Sequence, residues 1–83
     1  MSASSTVEPE PNAKYGEVIV TVKGAPFLQA WPGGTGPCWN FAMFENGEPG
    51  EENFHVCELD EMIDALVALR DSAANRANVE RWA

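Results

Sequence analysis

The side chains with the most obvious capacity for chemistry lie between residues 45 and 64, in ENGEPGEENFHVCELDEMID. This stretch contains no lysine or arginine. Its carboxylates could attract a basic partner, bind calcium or form an acid/base pair. The acidic members are Glu45, Glu48, Glu51, Glu52, Glu58, Asp60, Glu61 and Asp64.

The sequence gives little support for calcium binding or for catalysis. ENGEPGEEN lacks the Asp-x-Asp-x-Asp-Gly order and the flanking helices of a calcium loop. The chain has one histidine, His55, and no glycine-flanked serine that could act as a nucleophile. An acid/base pair needs a cleft that holds two carboxyl groups in different environments, and a small sheet with one helix leaves little room for it. We therefore expect a protein that is not an enzyme.

Three further residues could act as soft metal ligands: Cys38, His55 and Cys57. Structural zinc takes four ligands, usually with two cysteines two to four residues apart, so the sequence predicts no metal. Buried free thiols are the favoured interpretation of the cysteines. A Cys38–Cys57 cross-strand disulfide remains an alternative in an oxidising compartment.

The glycine-rich loop PGGTGP lacks the lysine and the serine or threonine of a phosphate loop. We therefore expect no cofactor.

Two of the three tryptophans could contact a partner. Trp39 alternates with Phe41 and Met43 and is expected in the core, whereas Trp31 ends a strand and Trp82 lies near the C-terminus. A tryptophan that a small core cannot cover is a typical interface anchor. Peripheral packing remains the alternative for both.

The elements that must position these residues are predicted from periodicity. Strands are expected in GEVIVTVKG, FLQAW, CWNFAMFE and FHVCEL, because β-branched and aromatic residues alternate between two faces. FLQAW suits an edge position. Residues 46–53, NGEPGEEN, are expected to form a hairpin connection with turns at Asn46-Gly47 and at Pro49-Gly50.

Helical periodicity begins at Asp60, the expected N-cap, with Glu61 and Asp64 in the first turn. An apolar stripe predicts one helix of roughly 16–20 residues packed on one face of the sheet. The order ββββα indicates an α+β fold with a small antiparallel sheet of three to four strands. Residues 1–13 are predicted to be a flexible acidic tail, and residues 14–83 a single domain.

Net charge limits the kinds of partner. With 13 acidic and 5 basic residues among 83, the chain carries a charge of −8. Direct contact with nucleic acid or with an anionic membrane is therefore disfavoured. No apolar run reaches the roughly 18 residues of a membrane span, and MSASSTVEPEPNA lacks the features of a secretory signal. We expect a cytoplasmic protein, located in the host cytoplasm if it is phage-encoded.

No motif identifies a family. In size and charge alone, the chain resembles the short inhibitors that phages and mobile elements direct against host machinery, of the anti-CRISPR and antirestriction kinds. That resemblance implies an acidic, non-enzymatic protein that binds the basic surface of a host protein or nucleoprotein complex, by occlusion or by mimicking nucleic acid. The expected partner-binding residues are Glu45, Glu48, Glu51, Glu52, Glu58 and Trp31. The alternative is a structural or accessory module that self-associates, as a homodimer, through its edge strand or its helix.

Overall fold

Five antiparallel strands followed by two helices make up the fold in the computed structural model, which describes residues 4–82. The strands are neighbours in the sheet in the order in which they occur along the chain, so FLQAW lies in the third and central strand. The edge position expected for it is therefore wrong, because its prolines lie near the ends of the strand and leave its middle free to pair on both sides. The predicted α+β class is confirmed, but five strands replace three or four and two helices replace one. The elements are β1 (Ser5–Pro9), β2 (Val18–Val22), β3 (Ala25–Pro32), β4 (Trp39–Glu45), β5 (Glu48–Val56), α1 (Leu59–Arg70) and α2 (Ala73–Arg81).

The additional strand is β1, which lies inside the segment predicted to be a flexible tail. It pairs with β2 from Ser5 opposite Val22 to Pro9 opposite Val18. All five of its side chains are exposed. Since β1 adds backbone hydrogen bonds without burying side chains, the alternation that signals a half-buried strand is missing from its sequence.

The connection between β4 and β5 is shorter than predicted. It is a two-residue turn in which Asn46 and Gly47 have φ of 55° and 85°, the left-handed conformation that tight hairpins require. Pro49 and Gly50 therefore lie within β5, and the second turn predicted there is wrong. Because β5 is an edge strand, a proline without an N–H group is tolerated in it.

The centre of the sheet contains the only buried side chains among residues 4–82, those of Ala30 and Ala42. Phe41 lies opposite Ala30 on β3 and Phe54 on β5. The Phe41 and Phe54 ring centroids are 5.3 Å apart, which is within the range of favourable aromatic pairs. The predicted alternation of Trp39, Phe41 and Met43 on one face agrees with this register.

The predicted single helix is divided at Ser72. The Ser72 side chain accepts a hydrogen bond from the Asn75 backbone N–H and caps α2. Glu58 occupies the N-cap position of α1, so the prediction of Asp60 is displaced by two residues. Met62 alone in α1 is partly covered, and the helix lies only loosely against the sheet. No helix within residues 4–82 has the length and apolar character needed to cross a membrane.

Candidate functional site

The acidic hairpin (residues 45–52) presents four glutamates at one end of the sheet. Its tight turn places Glu45 directly opposite Glu48, and Glu45, Glu48, Glu51 and Glu52 are all exposed. Side chains that face each other across antiparallel strands have Cβ atoms about 4.5–5.5 Å apart, so two like charges there repel. The repulsion between Glu45 and Glu48 therefore disfavours folding of the hairpin.

A bulge in β5 gives the acidic hairpin its shape. Pairing moves from Ala42 opposite Asn53 to Phe44 opposite Pro49, which leaves three residues of β5 without a partner in the register. The resulting open depression of about 600 Å³ is lined by residues 45–46 and 48–52.

Glycine is required within the bulge because the chain passes close to β4. A Cβ atom added at Gly50 would lie 3.1 Å from the Met43 carbonyl oxygen and 3.0 Å from a Glu45 carboxylate oxygen. Both contacts are tighter than ordinary van der Waals packing.

Two of the predicted site residues lie away from the acidic hairpin. Glu58 follows the far end of β5, beyond Val56, which pairs with Trp39 at the other end of β4. Trp31 opposes Asn40, five residues from Glu45 and therefore about 17 Å away along β4. The six predicted contact residues do not form one continuous patch.

Trp31 lines a different, shallow depression together with Tyr15, Glu17 and Gln29. Its side chain is partly covered, whereas Trp82 is 80% exposed. Of the two tryptophans that the sequence singled out, Trp82 offers more free surface. The exposed ring of Tyr15 was not singled out, since it lies in an irregular segment without periodicity.

The turn between β2 and β3 places one cation at the same end of the sheet as the acidic hairpin. Lys23 lies in that turn, two strands from β4. Neighbouring strands are about 4.8 Å apart, so this separation is close to a Debye length at physiological salt. Within residues 4–82 no ion pair joins Lys23 to a glutamate of the acidic hairpin.

Glu17 is the clearest case of a carboxylate stabilised by its own backbone. The N–H groups of Tyr15 and Lys14 donate to its Oε1 atom, at 2.7 and 3.1 Å. These hydrogen bonds, that of Tyr15 first, hold the pKa of Glu17 below its ordinary value. They organise the loop that leads into β2.

The two cysteines form a disulfide between Cys38 and Cys57, which corrects the expectation of buried free thiols. Trp39 opposite Val56 is the last pair of the β4–β5 ladder, and the next residue on each strand is a cysteine. Cys57 is moreover exposed. Disulfides persist in oxidising compartments, while the cytoplasmic location stays a prediction.

His55 completes this cluster. Its Nδ1–H donates to Asn40 Oδ1 at 2.9 Å, and its Nε2 atom lies 3.3 Å from Cys57 Sγ. The three ligand atoms of Cys38, His55 and Cys57 lie within 4.8 Å of one another. Zinc binds cysteine as thiolate, and the disulfide form offers none. The absence of a metal stays a prediction.

An apolar groove separates α1 from the sheet. It has a volume of about 340 Å³, and no charged side chain lines it. The sequence predicts an apolar face on the helix and on the sheet, but it does not predict the open space between them. Its lining residues are Phe27, Leu28, Phe41, Met43, Phe54, Met62 and Leu66.

Comparison with known proteins finds no match to a protein-family model, to a curated protein or to a solved structure.

Proposed function

We propose that this chain is a non-enzymatic binding protein whose acidic hairpin docks on the basic surface of a nucleic-acid-binding protein and occludes it. In this role it would act as the small inhibitors of phages and mobile elements do, of the anti-CRISPR or antirestriction type. The observation that carries the proposal is the group of four exposed glutamates on one hairpin, with Glu45 and Glu48 opposed.

The physical basis is charge complementarity. Exposed carboxylates attract a cationic surface over about a Debye length and accelerate encounter with it. A surface that binds phosphates through lysine and arginine is of this kind, and a bound acidic protein would compete for it. The repulsion between Glu45 and Glu48 supports the proposal, because a function in binding would account for charges that disfavour folding.

A binding role is also supported by the burial pattern. Among residues 4–82 no charged or polar side chain is buried, and the acidic depression is open to solvent. An acid/base pair is usually tuned by placing one carboxyl group in a low-dielectric environment. The exposed glutamates are suited to contact with a partner.

The test is a pull-down from a lysate of the native host cells, using the full chain and two charge-matched variants. The first variant replaces Glu48, Glu51 and Glu52 by lysine. The control makes the same change in net charge away from the hairpin, with lysine at Glu8, Asp64 and Glu80, which are all exposed. Circular dichroism establishes that both variants are folded.

We expect the parent chain and the control to capture a nucleic-acid-binding protein. The hairpin variant should capture at least about tenfold less of it. The purified target should bind its nucleic acid less tightly when the parent chain is added. Its affinity for the chain should fall between about 50 and 200 mM salt. Equal losses in the two variants, an affinity independent of salt, or undiminished nucleic-acid binding would each contradict the proposal.

A further inference from the structure

The folded chain exposes more surface than its mass requires. Its accessible surface is 6552 Å², whereas a compact monomer of 9.0 kDa exposes about 4,850 Å². The Cα radius of gyration of 14.6 Å also exceeds the roughly 12 Å of a compact 83-residue domain. On this scaling the excess surface of the whole chain is about 1,700 Å².

Much of the apolar part of this surface lies on α1. The exposed stripe of α1 consists of three side chains that are 55%, 53% and 58% exposed, those of Ile63, Leu66 and Leu69. A helix of 12 residues is marginal in water unless its apolar face is buried. Met62 and Leu66 line the groove between α1 and the sheet, and the apolar face of the helix stays exposed.

The apolar groove runs beside this helix. Its sheet-side wall is formed by side chains of β3, β4 and β5, and Phe27 and Phe54 are themselves 49% and 40% exposed. An apolar helix face and an apolar groove therefore lie side by side on one surface of the molecule.

From these observations we infer that the chain forms a homodimer, in which the exposed stripe of α1 from each copy covers the apolar groove and the α1 stripe of the other. A two-fold axis allows the same patch to serve on both chains. A dimer interface of standard size buries about 800 Å² per partner. The excess surface of each chain is about twice that amount.

The charge distribution favours a second copy over a basic partner on this face. By helical periodicity Asp60, Glu61 and Asp64 lie on the side of α1 away from Leu66, and the groove lining contains no charged residue. Two copies, each with a net charge of −8, can therefore meet without opposing carboxylates at the centre. Homodimer interfaces are typically of this apolar kind.

Sedimentation velocity of the full chain from about 1 to about 100 µM tests the inference. We expect a species of twice 9.0 kDa. Ile63→Glu and Leu69→Glu each place a charge in the stripe but leave the groove lining intact, and each should raise the dissociation constant at least about tenfold. Val79→Glu is the matched control, because Val79 is 58% exposed on α2 and lies outside the proposed interface.

A fluorescent apolar dye provides a second readout that does not depend on mass. The stripe variants should bind more dye than the parent chain, since the groove opens when the dimer dissociates, and the Val79 variant should not. A parent chain that stays monomeric throughout the concentration range would overturn the inference. So would a dimer that the stripe variants leave intact or that the Val79 variant disrupts equally. None of these results depends on the proposed role of the acidic hairpin.

Discussion

Replacing Glu48 by lysine should make the protein more stable while it weakens binding of a basic partner. Glu45 and Glu48 face each other across the β4–β5 turn. Cross-strand charge pairs contribute roughly 0.2–1 kcal/mol, with the sign set by the charges. Changing repulsion into attraction should therefore raise the free energy of unfolding by about 1 kcal/mol, which corresponds to roughly 4–8 °C in Tm for a domain of this size.

The matched control is Glu52→Lys. It makes the same change in net charge within the same hairpin, but Glu52 has no partner in the strand register. Any gain that it shows measures the general relief of self-repulsion in an acidic chain. Glu48→Gln removes the repulsion without adding attraction and should fall between the parent and Glu48→Lys.

Thermal unfolding followed by circular dichroism, at low salt and again at about 1 M salt, measures these differences. The advantage of Glu48→Lys over Glu52→Lys should shrink at high salt because the Debye length falls to about 3 Å. Equal Tm values for the two variants at low salt would refute the assigned register and the repulsion inferred from it.

Three further predictions concern the loops and the disulfide. Reducing the Cys38–Cys57 bond, whose cysteines are 19 positions apart, should lower the free energy of unfolding by about 3 kcal/mol; urea unfolding with and without reductant measures this, and an unchanged midpoint would contradict it. Glu17→Gln should destabilise the fold near neutral pH and lose its effect as the pH falls below 4.5 and through the lowered pKa, because a depressed carboxyl pKa stabilises the folded state only while the group is ionised. Stability curves of the parent and Glu17→Gln that stay parallel down to acid pH would exclude this role. Gly33→Ala should displace the His55 ring, since a Cβ atom there would lie 2.7 Å from His55 Cε1; an unchanged His55 NMR spectrum would be the contrary result.

Local patterns in the sequence identified four of the five strands and placed the N-cap of the helical region two residues from its position in the structure. Alternation depends only on neighbouring residues, and it correctly placed Trp39, Phe41 and Met43 on one face. Apolar alternation does not predict strand β1, because that strand buries no side chain. The division of the helical region at Ser72 was also missed, since apolar spacing continues through a cap.

The candidate site was less accessible to sequence reasoning. The density of glutamates in residues 45–52 was apparent, but which of them face each other was not. Proximity in sequence groups Glu58 with the hairpin, and side-chain chemistry groups Trp31 with it, but the strand register separates both residues from it. The exposed stripe of α1 looked like an ordinary core-facing stripe, because hydrophobic periodicity indicates which face is apolar and not whether it is covered.

Composition and local pattern are sufficient to establish the charge of −8, the α+β class and the alternation of residues between the two faces of the central strands, since each depends on composition or on residues within one element. Three features follow from the folded chain alone: Glu45 opposes Glu48, Cys38 is bonded to Cys57, and the groove beside α1 stays open. These depend on strand register and on packing between distant segments. A strand of period two can pair in several registers, and the free energy that selects one comes from the whole sheet.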